Sequence, residues 1–90
     1  MKFAIAQSHE GFTRTIDVKV DADAGKQLAD VETTYGGFTL GHDFRNPPES
    51  AYQRTFTQQE GLTPNQPHTV KVRARHVDGS SDAASKTWND

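Results

Sequence analysis

Thr69-Val70-Lys71-Val72-Arg73-Ala74-Arg75-His76-Val77 alternates apolar and polar residues. Val70, Val72 and Ala74 fall on one side, and Lys71, Arg73 and Arg75 on the other. A period of two is the signature of a strand with one face against a core and one in water. Such a strand needs partners, and the rest of the chain supplies them.

Upstream, Phe12 to Val20 alternates as clearly. Phe12, Ile16, Val18 and Val20 share a face with Arg14, which is placed near the edge of the apolar side. Phe3 to Ser8 reads as a first strand, ended by His9-Glu10-Gly11. Leu28 to Tyr35 reads as a third, with Ala29, Val31, Thr33 and Tyr35 inward and Asp30, Glu32 and Thr34 outward. Gly36-Gly37 marks a two-residue hairpin, from which Phe38 to His42 returns as a short edge strand. Asp43 to Ser50, with Asn46-Pro47-Pro48, reads as a loop, since proline cannot donate to a ladder. Ala51 to Gln58 follows, with Tyr52 and Phe56 inward. Residues 59–67 carry Gly61, Pro64 and Pro67 and read as a long corner. After the Asp78-Gly79-Ser80-Ser81 turn, Ala83 to Trp88 completes seven strands. No stretch holds a helical apolar period, and no internal repeat is present.

The expectation is one all-β domain over residues 1–90, an immunoglobulin-like sandwich of about seven antiparallel strands in two sheets. Composition agrees. Hydrophobic residues make up only 32% of the chain, too few for a helical core of this size but enough for strands that bury every second residue. Ile16, Val18, Val31, Phe56, Val70 and Val72 are the expected centre of the core.

The run Leu62-x-Pro64-x-x-x-His68-x-Val70-x-Val72-x-Ala74 resembles the corner and following strand of fibronectin type III domains. Those read Leu-x-Pro-x-x-x-Tyr-x-Val-x-Val-x-Ala. Together with Asp78-Gly79-Ser80 and Trp88, it also resembles the end of bacterial PKD-type immunoglobulin-like domains. The match covers residues 51–88. His68 stands where both families carry a tyrosine, and Tyr35-Gly36-Gly37-Phe38 stands where PKD domains carry a Trp-Asp-Phe-Gly-Asp-Gly run. The resemblance implies a non-catalytic spacer or protein-interaction module of a bacterial surface, secreted or phage structural protein. Its partners would be an unknown protein or neighbouring domains.

The chemistry-bearing residues are few. Net charge is −2, from 10 basic and 12 acidic residues, which gives no long-range attraction for nucleic acid or an acidic membrane. There is no cysteine, hence no disulfide and no thiolate. Met1 to Gln7 lacks the apolar run of a signal peptide, and no segment approaches a membrane span. An excised module of this kind would belong outside the cell or in a virion. No Gly-x-Ser-x-Gly elbow, Gly-x-Gly-x-x-Gly turn or Walker loop is present, so no catalytic residue, cofactor or enzyme activity is expected, and the chain reads as a monomer.

His9, His42, His68 and His76 lack metal-ligand spacing. His68 is expected to bond backbone at the corner, and His76 to be half-buried. Asp21, Asp23, Asp78 and Asp82 would converge at one end of a sandwich. They suit either local turn capping or a weak Ca²⁺ site. Four carboxylates on two loops are a poor set for an ion that takes six to eight oxygens, so folding is expected to need no metal. Lys71, Arg73 and Arg75 should face solvent beside Asp30 and Glu32, either as a self-paired face or as a surface for an acidic partner. The alternative function is a carbohydrate-binding accessory module, with Trp88 and Tyr35 or Tyr52 as the platform.

Overall fold

The computed structural model describes residues 1–90. Seven strands follow in order: β1 Lys2–Glu10, β2 Thr13–Asp21, β3 Leu28–Tyr35, β4 Phe38–Glu49, β5 Ala51–Gln59, β6 Pro67–His76 and β7 Ser81–Asn89. All pairings are antiparallel. They form a three-stranded sheet, β1-β2-β5, and a four-stranded sheet, β4-β3-β6-β7. No helix is present that is long and apolar enough to cross a membrane.

Alternation along the strands sets the core. Ile16, Val18, Val20, Tyr52 and Phe56 come from one sheet, and Leu28, Val31, Tyr35, Val70, Val72 and Ala74 from the other; together they are one buried cluster. Each aliphatic or aromatic side chain buried this way contributes about 1.5–3 kcal/mol relative to exposure. All six residues expected at its centre are in it. Gly36 and Gly37 take φ of 58° and 86°, the left-handed values that a two-residue hairpin demands at both central positions.

Four readings need correction. Phe12 lies in the β1–β2 turn and is 73% exposed; the alternation is real, but the strand that carries it begins one residue later. In β3, Leu28 rather than Ala29 turns inward, because the register shifts between Leu28 and Asp30. The irregularity at Ala29 brings Leu28 onto the inward face with Val31, three residues on, while Val31, Thr33 and Tyr35 keep the alternation. Arg14 is not at an edge but is buried to 1% exposure.

The fourth correction concerns β4, which does not stop at His42 but runs on to Glu49. Asp30 pairs with Phe44 and Leu28 with Glu49, so Arg45 to Pro48 together oppose only Ala29. The prolines do break the ladder, as proline must. The strand tolerates them because β4 is an edge, where the missing N–H would have faced solvent. Only Ser50 separates β4 from β5, so the chain changes sheets in one step, held by the Ala22 N–H donating to the Ser50 carbonyl at 2.8 Å.

Candidate functional site

The inward register of β2 carries Arg14 into the sandwich near its β5–β6 end. There the guanidinium donates from Nη1 to Gln7 Oε1 at 2.6 Å, from Nε to Glu60 Oε2 at 3.2 Å, and from Nη2 to Asp90 Oδ1 at 2.6 Å. Its plane lies 5.4 Å from the Trp88 ring centroid. β3 and β6 bring Tyr35 and His68 alongside. The rings of Tyr35, His68 and Trp88 have centroids 5.6–6.1 Å apart in nearly parallel planes. The Tyr35 hydroxyl donates to Glu60 Oε2 at 2.8 Å.

His68 does not bond backbone as expected. Its Nε2 lies 2.7 Å from Thr63 Oγ1 and 3.1 Å from Asp90 Oδ2, and its Nδ1 lies 3.1 Å from the Tyr35 hydroxyl. The ring therefore ties the corner together through side chains. Glu60, His68 and Asp90 are the one group of three His, Asp or Glu residues with ligand atoms within 4.8 Å of one another. Sequence reasoning missed it, because its members lie 8 and 22 residues apart with no ligand spacing.

The donor set decides what this group can do. Glu60 accepts from Arg14, Tyr35 and Gln58, and Asp90 from Arg14 and from the Thr63 N–H. Every carboxylate oxygen of the pair already accepts at least one hydrogen bond, and the cation they share is Arg14. The Arg14 hydrogen bond holds the Asp90 carboxyl down to about 2. Glu60 is also lowered: burial opposes ionisation but is outweighed by hydrogen bonds from Gln58, Tyr35 and Arg14. A metal ion would have to compete with a guanidinium that already pairs with both acids. The group is an ion network built around Arg14, and both nitrogens of its His68 are engaged, Nε2 by Thr63 and Asp90 and Nδ1 by Tyr35.

Beside it, Tyr35, Phe38, Gln58, Glu60, Thr63 and His68 help to line an open cavity of about 400 Å³.

The opposite end holds the four aspartates singled out earlier, and they do not meet as one site. Asp23 bonds the Met1 ammonium, which lies 4.0 Å from Asp82. Asp78 pairs with Lys26 at 3.1 Å and accepts from the Ser80 N–H and hydroxyl, which holds its carboxyl well below the usual range. Asp21 is exposed at the end of β2. His76 is fully buried rather than half-buried. Its Nε2 accepts from the Asp23 N–H at 3.1 Å, which leaves the proton on Nδ1 to be donated to Ser80 Oγ at 2.9 Å.

On the solvent face of the four-stranded sheet, Asp30 lies opposite Arg75, Glu32 opposite Arg73 and Thr34 opposite Lys71, in the arrangement expected. Only the first of these pairs closes, Arg75 Nε to Asp30 at 3.1 Å. Exposed pairs of this kind contribute at most about 1 kcal/mol. Glu32 turns instead toward His42 at 3.5 Å, and Lys71 and Arg73 have no ion-pair partner. Trp88 is half-buried, while Tyr35 and Tyr52 are only 7% and 5% exposed. Neither tyrosine presents an open ring face beside Trp88.

The two tyrosines give a titration test. Burial, reinforced by Glu60, pushes Tyr35 up to about 12. Burial and Asp43, which accepts from the Tyr52 hydroxyl at 2.5 Å, push Tyr52 up too. A group whose folded pKa is raised stabilises fully below its ordinary value of 10.0 and loses that contribution as pH rises through the folded value. Phenolate absorbance should therefore stay flat through pH 10 and rise only as the fold is lost. A reversible rise centred near pH 10 in folded protein would contradict the buried hydroxyl bonds.

No protein family model, curated protein or solved structure matches this chain.

Proposed function

We propose that the chain is a non-catalytic immunoglobulin-like module, of fibronectin type III kind, that serves as a spacer or interaction unit in a larger bacterial surface, secreted or phage assembly. One observation carries the reading most. The domain is a rod of 42 × 19 × 18 Å, and β1 begins at the end opposite the one where β7 finishes, since Lys2 pairs with Asp21 while Asn89 pairs with Pro67. A chain threading such a unit enters at one end and leaves at the other, which is what a spacer requires. Two further features support the fibronectin type III side of the resemblance. β4 joins β3 rather than β5, unlike the four-plus-three arrangement of constant-type immunoglobulin domains. His68 also ties the corner back to Thr63, the task that a corner tyrosine performs by bonding upstream backbone. The non-catalytic part of the proposal is supported by the Arg14 network, whose acids and His68 are held in hydrogen bonds to one another and to their neighbours.

Two copies joined head to tail by a short linker should scatter X-rays as an extended rod about twice as long as one copy. A tandem that folds back into a compact particle would count against the spacer reading.

A further inference from the structure

We propose that the free edge of β7 accepts an extended acidic segment of a partner protein as a fifth strand, a placement that rests on the interaction-module reading. β7 pairs only with β6, so its other edge has no strand partner and presents backbone donors and acceptors; of these, the Ala83 N–H is held by Asp82 Oδ1 at 2.8 Å, a local cap that an incoming strand must displace. It is nine residues long and contains no proline. The other edge of the same sheet, β4, is interrupted by Pro47 and Pro48.

Charge selects the occupant. Ala83 and Ser85 sit opposite Arg73 and Lys71 and share their solvent face. Both are short, so nothing on β7 blocks the long basic side chains from reaching across it. A strand added beyond β7 would lie about 10 Å from β6, two strand spacings away. An arginine or lysine meeting a glutamate can span that distance. Arg73 and Lys71 are two residues apart, about 7 Å along a strand, which is the spacing of carboxylates at alternate positions of an extended segment. On the other face of β7, Lys86 is exposed and likewise has no ion-pair partner. Over residues 83–87 an incoming strand thus meets unpaired positive charge on both faces, while Asp82, on the Lys86 face at the start of β7, lies 4.0 Å from the Met1 ammonium. Main-chain bonds would supply affinity and these three cations the preference for acids.

The probe is a fluorescein-labelled eleven-residue peptide with glutamate at alternate positions, compared with the same peptide carrying lysine in their place. Saturable binding of the acidic peptide alone is expected, with amide shifts concentrated on Ser81 to Asn89. Lys71→Glu and Arg73→Glu, both on the exposed face, should each weaken it about fivefold or more, and added salt should weaken it further. Absence of saturable binding, equal binding of the lysine peptide, shifts centred on another edge, or β7 amides already protected in a dimer would each overturn the proposal. The tandem scattering experiment uses no peptide, so failure of the rod and failure of the edge are read separately.

Discussion

Val72→Asp is expected to leave the chain unfolded at neutral pH. Val72 is fully buried on a central strand, opposite Thr33 on one side and Ala84 on the other. The substitution removes a packed side chain and places a carboxylate where no cation reaches. An unpaired charge in such a site costs several kcal/mol at least. A domain of this size has only about 5–15 kcal/mol in total. Val72→Thr is the control. It keeps the shape and adds a hydroxyl directly across from Thr33, whose own Oγ1 is buried without a partner. That variant should stay folded, with a loss of about 1–3 kcal/mol or less. Circular dichroism and urea titration distinguish the two. A Val72→Asp protein that is soluble and melts cooperatively would mean that this side of β6 does not face the core.

The success and failure of the sequence reading have one physical source. Alternation reports which side of a strand faces the core, and it placed Val70, Val72, Ile16 and Val18 correctly. It does not report where a strand meets another across the fold. Phe38 to His42 reads as an edge strand, but that an edge lets β4 run on through Pro47 and Pro48 to Glu49 depends on its pairing with β3, which no local pattern reveals. Arg14 was in the inward register from the start. Its burial depends on Glu60 and Asp90, which lie 46 and 76 residues away. The useful signal was available in part: an arginine at an inward position of a strong strand needs a counter-ion, and the search for one leads to the acids of the corner. The three-ring cluster was visible only as an unassigned Trp88, since stacking on Tyr35 and His68 requires β3, β6 and β7 to be neighbours first.

Replacing Arg14 should have the second-largest effect and should also change the acid response of the fold. Arg14→Met keeps a long side chain beside Trp88 but removes the donors that Arg14 itself supplies to Gln7, Glu60 and Asp90. Deleting the buried cation leaves both acids uncompensated, which destabilises strongly where the pair is buried and less where solvent screens it, as at Asp90 on the exposed end of the chain. Arg14→Lys should recover only part of this, since an ammonium cannot present the forked donors that reach all three acceptors. The pH dependence identifies the mechanism. In the native protein Glu60 and Asp90 are both held below their ordinary values of 4.5 and 3.8. A depressed folded pKa contributes stability above the unfolded value and loses it as pH falls through the folded one. The native protein should therefore weaken between about pH 5 and 2. In Arg14→Met the two acids lose their counter-charge, so their folded values rise and protonation relieves the strain. The stability gap between the two proteins should be widest near neutrality and should close steadily as pH falls. Urea unfolding of both proteins at a series of pH values measures the gap directly. A gap of the same size at every pH would mean that Arg14 acts through packing on Trp88 rather than through its charge.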